Sequence, residues 1–167
     1  LAAQVAKAAG ARFVMIAGIN NDEELRLKTA RELKIDEVVN VEKTDISKRI
    51  LELTGGRGAD LAVDASGSER AIKTAIGLLR KKGRFCAIGM SGSDEIKFPY
   101  NQAMFKVLDL HFCLSTSYTS WDRSLSLISR GAIDVKKVIS HIEPLTNWEK
   151  AFELIEKQQA LKIILKP

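Results

Sequence analysis

The fold is decided by two short apolar runs that end in small residues, Asp60-Leu61-Ala62-Val63-Asp64-Ala65-Ser66-Gly67 and Gly83-Arg84-Phe85-Cys86-Ala87-Ile88-Gly89. Between them, the interval from Glu69 to Lys82 has apolar residues at helical spacing: Ala71, Ile72, Ala75, Ile76 and Leu79. This order predicts a βαβ unit, because two parallel strands need such a crossover. Ser66-Gly67 and Gly89 then lie at the carboxyl ends of the strands, where open α/β sheets bind ligands.

Strands and helices alternate along most of the remaining chain. Strands are predicted at Arg12–Ala17, Glu37–Asn40, Leu108–Leu114, Val138–Ile142 and Leu161–Leu165, with an exposed or edge strand at Glu95–Phe98. Helices are predicted at Asp22–Leu33, Gln102–Val107, Trp121–Arg130 and Asn147–Lys157. A further helix is predicted to begin after a cap at Thr44 or Asp45. The alternation is typical of an α/β protein with a doubly wound parallel sheet, here one domain over residues 1–167.

The composition favours a soluble, cytoplasmic globular protein. Of 167 residues, 46% are hydrophobic and 28% are charged, with a net charge of +5. Basic and acidic residues are interspersed, as at Glu23, Glu24 and Arg26, so we expect a solvated surface and no nucleic-acid partner. No signal peptide is visible, and no apolar run approaches the roughly 20 residues that a membrane helix requires. Cys86 and Cys113 stand in apolar runs, which predicts buried thiols rather than a disulfide or a metal pair.

The chain begins inside a predicted helix, Leu1 to Gly10, with no cap before it. A dinucleotide site needs glycines at the first turn from strand to helix, and that turn would fall before Leu1. The central strand of the sheet would fall there too, so the strands at Arg12–Ala17 and Asp60–Ala65 are each predicted to lack a ladder partner. We therefore expect an N-terminally truncated Rossmann-like domain that alone binds its cofactor weakly or not at all.

The loop after the strand at Arg12–Ala17 bears on the choice between NAD and NADP. An NAD site usually places a carboxylate at this strand end to accept from the ribose hydroxyls, but here Gly18 stands there, followed by Asn20. Without that carboxylate a 2′-phosphate is repelled less, and Arg26 or Lys28 could approach it. Alternatively, Gly18 only permits a turn and Arg26 is a solvated helix residue. The missing carboxylate also counts mildly against an S-adenosylmethionine-dependent methyltransferase, whose site needs one as well.

Six segments carry a resemblance in their order and spacing: Ala2–Ala11, Val63–Gly67, Gly83–Gly89, Gly131–Asp134, Ile139–His141 and Trp148–Lys162. Together they resemble the medium-chain alcohol and polyol dehydrogenases, closest to the sorbitol and threonine dehydrogenase branch. The resemblance covers essentially the whole chain, although the glycine-rich turn and first strand of that family are absent. It implies the NAD(P)-binding domain of an oxidoreductase that transfers hydride between a nicotinamide cofactor and a secondary alcohol or polyol, with zinc held by a separate catalytic domain.

The resemblance also implies roles for particular residues. The nicotinamide and ribose side of the cofactor would be lined by Ala65, Ser66, Gly67, Ile88 and Gly89. Leu114 and Ser115 would flank the nicotinamide amide, and Lys162 would approach the pyrophosphate. The strand from Glu95 to Tyr100 would pair two copies as a homo-oligomer. With Gly18 and Asn20 these complete the candidate cofactor site, whereas no catalytic or metal-binding residue is expected in this chain.

Other interpretations are weighed against this one. His111 and His141 lack a neighbouring set of metal-ligating residues and are predicted to be structural. Ser66 does not stand in a Gly-x-Ser-x-Gly nucleophile elbow, which favours a backbone-contact role. Two functional alternatives stay open: a zinc-free quinone or enoyl reductase of the same superfamily, and a nucleotide-binding module without enzymatic activity.

Overall fold

Seven α-helices and seven strands follow one another in the computed structural model, which describes residues 1–167. The helices are α1 (Ala2–Ala8), α2 (Lys28–Glu32), α3 (Ile46–Leu53), α4 (Glu69–Leu78), α5 (Tyr100–Phe105), α6 (Tyr118–Ser129) and α7 (Trp148–Glu156). The strands are β1 (Met15–Gly18), β2 (Glu37–Asn40), β3 (Ala59–Asp64), β4 (Leu79–Ala87), β5 (Asp109–Phe112), β6 (His141–Pro144) and β7 (Ile163–Lys166). No helix has both the length and the apolar character needed to span a bilayer.

Every strand pair is parallel, as predicted, but the strands form three separate sheets. Their orders are β1-β2, β3-β4-β5 and β6-β7. β1 pairs only with β2, and β3 pairs only with β4. Each of these two strands therefore has one edge without a strand partner. The chain accordingly divides into two compact units, Asp45–Thr116 and a second one formed by Leu1–Thr44 with Ser117–Pro167.

The unit Asp45–Thr116 is built on the predicted βαβ element. The side chain of Ser68 caps α4 by accepting from the Ala71 N–H, and the apolar stripe of the helix then lies on the sheet. The buried core comprises Ile72, Ile76, Leu79, Phe85 and Ala103. Complete burial of a side chain such as Ile76 or Phe85 contributes about 1.5–3 kcal/mol, so this small cluster is the main source of stability in the unit.

Helix α4 ends four residues before the predicted boundary at Lys82. β4 begins at Leu79, which pairs with Ala59, and at this end the Lys106 ammonium donates to the carbonyl oxygens of Ile76, Gly77 and Leu79 at 3.1, 2.6 and 2.6 Å. These carbonyls have no partner within the helix, and a cation at this end also interacts favourably with the helix dipole. Burial lowers the pKa of Lys106.

The second face of the β3-β4-β5 sheet is open, and this overturns the prediction of buried thiols. Phe85 faces the core, so Cys86, one residue further along the strand, faces the opposite side. Cys86 is half-buried and Cys113 is exposed. On the same face Leu61 and Val63 remain 44% and 42% exposed. The apolar character of the two runs thus did not identify which face of the sheet was covered.

The predicted edge strand at Glu95–Phe98 does not form, although the inward–outward alternation behind the prediction is present. Ile96 and Phe98 pack against the core, whereas Glu95 and Lys97 point to solvent. The Lys97 N–H donates to the Glu69 carboxylate at 2.9 Å instead of to a neighbouring strand. The segment is therefore extended but unpaired.

The unit of Leu1–Thr44 with Ser117–Pro167 carries the other two sheets. β2 forms at the predicted residues, while β1 begins three residues later than expected because the Val14 N–H is bound by the Asp36 carboxylate at 2.7 Å. The predicted helix from Asp22 to Leu33 is divided into a 3₁₀ turn, a π-helical turn and α2. The predicted strand at Val138–Ile142 is wrong in its first half, where residues 136–138 form a 3₁₀ turn before β6.

Candidate functional site

Asp64, the last residue of β3, organises the loop at the carboxyl end of this strand. One oxygen of its buried carboxylate accepts from the backbone N–H and the hydroxyl of Ser66 at 3.1 and 2.7 Å, and the other accepts from the Gly67 N–H at 2.9 Å. Its backbone carbonyl accepts from the N–H groups of Ile88 and Gly89 at 2.8 and 3.0 Å. A single residue therefore fixes the loops that follow β3 and β4.

The two loops approach so closely that neither glycine can be replaced without movement. A Cβ at Gly67 would lie 2.1 Å from the carbonyl oxygen of Met90, and one at Gly89 would lie 2.3 Å from the Gly67 nitrogen. Gly67 also has φ +68°, a conformation that side-chain-bearing residues rarely adopt. The structure thus brings the predicted residues Ala65, Ser66, Gly67, Ile88 and Gly89 together in one backbone cradle.

Leu114 and Ser115 follow β5 at the same edge of the sheet. The β4-β5 pairing extends to Cys113, whose N–H donates to the Ala87 carbonyl at 2.9 Å. Leu114 is 87% exposed, and Ser115 has φ +61°, which turns the chain after the strand. Both residues are presented to solvent, as a ligand-contacting segment requires.

The end of β1 forms a separate cluster in its own unit. A Cβ at Gly18 would lie 3.0 Å from Oδ2 of Asp22, and this oxygen also accepts from the Ile19 N–H at 3.0 Å. The Asn20 N–H donates to the Glu42 carboxylate at 2.6 Å. Although the strand ends in glycine, two carboxylates from other positions therefore lie against the loop.

Asn40 and Glu23 complete this cluster. The buried amide of Asn40 donates to Asn20 and to Glu23 at 2.9 and 2.8 Å. This hydrogen bond and the Arg31 guanidinium, 2.6 Å from the Glu23 carboxylate, hold the pKa of Glu23 below its usual value. The sequence prediction missed Asp22, Asn40 and Glu42. A polar residue at the end of a buried strand was the available signal for Asn40.

The two basic residues suggested to bind a 2′-phosphate, Arg26 and Lys28, have different surroundings. Arg26 donates to the Asp22 carboxylate at 3.3 Å and to the carbonyls of Gln158 and Ala160 at 3.2 and 3.4 Å. Its charge is thus already shared among three acceptors. Lys28 is exposed on α2, and Lys162 is exposed just before β7, two residues after Ala160.

The histidines show no arrangement for metal binding. His141 lies 2.9 Å from the Ser140 hydroxyl through Nδ1, and His111 is exposed on β5. No group of three or more His, Cys, Asp or Glu side chains is placed to hold a metal ion. The Ser66 hydroxyl donates to Asp64 and accepts from the Ser68 N–H, so it serves the loop backbone.

Known proteins resemble this chain over its whole length. A sorbitol dehydrogenase from Halalkalibacterium halodurans is 36% identical over 167 residues, and an L-threonine 3-dehydrogenase from Bacillus subtilis is 34% identical over 168 aligned positions. Each comparison covers 100% of this chain and 48% of the relative, so the chain spans about half the length of the curated relatives it matches.

Solved structures agree in fold. An alcohol dehydrogenase from Thermotoga maritima is 33% identical and superposes with a TM-score of 0.88, over 99% of this chain and 46% of the other. One from Thermus sp. ATN1 is 26% identical with the same TM-score of 0.88, over 99% and 47%. The Rossmann-like α/β class predicted from the sequence is thereby confirmed. Residues 1–130 match the family described as zinc-binding dehydrogenase, and the chain belongs to this family.

Proposed function

We propose that this chain is the NAD(P)-binding half of a zinc-dependent dehydrogenase that oxidises a secondary alcohol or polyol. The observation that carries the proposal is the backbone cradle of Gly67 and Gly89 at the carboxyl edge of β3 and β4. The two glycines let the loops after β3 and β4 touch, which places both loops at the carboxyl edge of the sheet, where open α/β sheets bind ligands. The sorbitol and threonine dehydrogenases among the relatives support the substrate class.

The residues of the chain would bind and orient the cofactor. The loop at Ala65, Ser66 and Gly67, with Ile88 and Gly89, would hold the nicotinamide and its ribose, and Leu114 and Ser115 would flank the carboxamide. Lys162 would approach the pyrophosphate. A bound nicotinamide would supply a hydride acceptor, and zinc held by residues outside this chain would supply a Lewis acid for the alcohol oxygen. Asp64 keeps both loops in place, so the ring meets a preorganised surface.

The test is enzymatic and uses the full-length protein. With zinc, it should reduce NAD(P) in the presence of sorbitol, threonine or related secondary alcohols, and chelation of zinc should abolish the activity. Inactivity across a broad alcohol panel would contradict the proposal. Activity toward quinones or enoyl substrates that survives chelation would favour the zinc-free reductase instead.

We further infer a preference for NAD over NADP, against the suggestion of the sequence. The support is the position of Asp22 and Glu42 beside the loop after β1, where both carboxylates would repel a 2′-phosphate. In the full-length protein, Asp22→Asn should lower the ratio of kcat/KM for NAD to that for NADP about tenfold, equivalent to about 1.4 kcal/mol. Lys28→Met is the control, because it should reduce NADP use only if this lysine binds the phosphate. A wild-type preference for NADP would refute the inference.

The homo-oligomer is proposed to form through the segment from Glu95 to Tyr100. Its support is that the segment is extended and unpaired, and that the adjoining α5 exposes Tyr100, Met104 and Phe105. Light scattering on the full-length protein should give the mass of a dimer, and Tyr100→Glu should give a monomer with an unchanged circular dichroism spectrum. A monomeric wild-type protein would exclude this interface.

A cytoplasmic location is proposed as well. Both cysteines are free although they neighbour each other, which suits a reducing compartment. Fractionation of the source cells should recover the full-length protein in the cytosol. Recovery from a secreted or periplasmic fraction would contradict this location.

A further inference from the structure

The two cysteines of the chain form a pair on the open face of the β3-β4-β5 sheet. Their sulfur atoms are 3.5 Å apart. Cys86 lies on β4, opposite His111 in the parallel register, and Cys113 follows two residues later at the end of the same ladder. Alternate residues of a strand point to one face, so the two thiols are diagonal neighbours on that face.

Both sulfurs lie within reach of a small solute. Cys113 is exposed and Cys86 is half-buried. Val63 pairs with Cys86 from β3 and is itself 42% exposed. The face of the sheet that carries the two cysteines is therefore not fully covered. Two thiols that are adjacent and accessible behave differently from the inert buried cysteines expected from the sequence.

We propose that Cys86 and Cys113 are a redox modification site, at which hydrogen peroxide converts the two thiols into an intramolecular disulfide. A disulfide bond is about 2.05 Å long, so the sulfurs must approach by roughly 1.5 Å, a change that rotation of the two short side chains can supply. Cys113 lies just beyond the last residue of β5, where its backbone can also adjust. Oxidation of these two thiols is separate from the proposed dehydrogenase reaction, which does not use them.

The order of events follows from exposure. The thiolate of Cys113 attacks one oxygen of hydrogen peroxide, which forms Cys113 sulfenic acid and releases hydroxide. The sulfur of Cys86 then attacks the sulfenic sulfur, the S–S bond forms, and the S–O bond breaks. The departing hydroxyl leaves as water with the proton from Cys86. In total two thiols and one peroxide give one disulfide and two waters.

The environment of Cys86 suits the second of these roles. Burial raises the pKa of the Cys86 thiol, and the hydrogen bond with Cys113 acts in the same direction. Cys86 is therefore the less reactive of the two toward the oxidant, and the exposed Cys113 meets the oxidant first. No third ligand accompanies the pair, since no three His, Cys, Asp or Glu side chains converge on a possible metal position.

The experiment treats the chain with hydrogen peroxide at low protein concentration. Titratable thiols should fall from two to none, and the mass should decrease by two hydrogen atoms. Peptide mapping should recover a single linked pair that contains Cys86 and Cys113. The melting temperature should rise by about 5 °C, because the cross-link restricts the unfolded chain, and dithiothreitol should restore both thiols.

Matched serine variants separate the two roles. In Cys86→Ser the Cys113 sulfenic acid should persist and react with dimedone, whereas Cys113→Ser should retain its single thiol several-fold longer than the wild type. The wild-type result stands even if a variant folds poorly. Retention of both wild-type thiols, uptake of oxygen without a linked peptide, or links only between separate chains would each overturn the proposal.

Discussion

At the scale of single residues, the candidate site depends on one carboxylate and two glycines. Asp64 satisfies three donors of the loop after β3 with its side chain and two from the loop after β4 with its backbone. Gly67 and Gly89 allow these loops to touch. The Asp64 side chain thus acts on the loops by fixing their main chain.

Replacement of the Asp64 carboxylate tests this arrangement. Asp64→Ala leaves the donors of Ser66 and Gly67 without an acceptor, and we expect the free energy of unfolding to fall by about 1–3 kcal/mol in urea denaturation. Asp60→Asn, on the same strand, is the control. Its carboxylate pairs with Arg80 but is 70% exposed, so the change should cost roughly 0.5 kcal/mol or less. Equal effects of the two variants would show that Asp64 does not organise the loops.

Addition of a methyl group tests the close approach of the loops. Gly89→Ala should destabilise the chain by roughly 1–3 kcal/mol, since the new Cβ meets the backbone of the neighbouring loop. Gly92→Ala meets nothing within 4 Å and should be neutral or slightly stabilising. Thermal unfolding of both variants provides the measurement. A Gly89→Ala variant as stable as Gly92→Ala would mean that the loops can separate freely.

At the scale of elements, side chains from distant positions decide where helices and strands begin and end. Lys106 binds carbonyl oxygens at the junction of α4 and β4. Asp36 sets the start of β1, because it accepts from the Val14 N–H and from the Lys7 ammonium of α1 at 2.9 Å. One carboxylate therefore joins α1, β1 and the residue that precedes β2.

The contribution of Asp36 should depend on pH. The Lys7 ammonium and the Val14 N–H hold the pKa of Asp36 below its usual value. A carboxyl group with a lowered pKa stabilises the fold above its unfolded pKa, and this stabilisation is lost as the pH falls through the folded value. The melting temperature of the wild type should therefore exceed that of Asp36→Asn at pH 7, and the difference should shrink as the pH falls below the usual range of aspartate titration.

The exposed Asp94 provides the control for this measurement. Asp94→Asn should follow the wild type across the same pH range. A wild-type advantage over Asp36→Asn that persists unchanged at low pH would exclude the carboxylate as its source.

At the scale of the whole molecule, two strands with one unpaired edge each limit what the chain does alone. β1 pairs only with β2, and β3 pairs only with β4. A strand edge without a partner leaves backbone groups outside the ladder, and the loops proposed to contact the cofactor follow these two strands.

The chain alone should therefore bind cofactor poorly. Calorimetric titration of the 167-residue chain with NAD or NADP should show no binding in the micromolar range, whereas the full-length protein should bind one of them. Micromolar affinity of the isolated chain would contradict this expectation. The chain is likewise expected to show no dehydrogenase activity.

The sequence by itself determined those features whose causes are local. The βαβ unit at Asp60–Gly89 follows from apolar spacing, and the start of α3 follows from Asp45, whose carboxylate accepts from the Ser47 and Lys48 N–H groups. The small residues at the strand ends indicated the close loops after β3 and β4 for the same reason. These features could be predicted because periodicity, capping and turn chemistry depend on residues that are close in the chain.

Only the tertiary structure decided which distant residues meet. It placed Asp22 and Glu42 beside a strand that ends in glycine, turned Cys86 away from the core, and left Glu95–Phe98 without a strand partner. A strand pattern specifies that alternate residues share a face, but the elements packed on each face determine which is covered. Contacts between residues far apart in the chain therefore fixed which carboxylates lie beside the loop after β1 and how exposed the two thiols are.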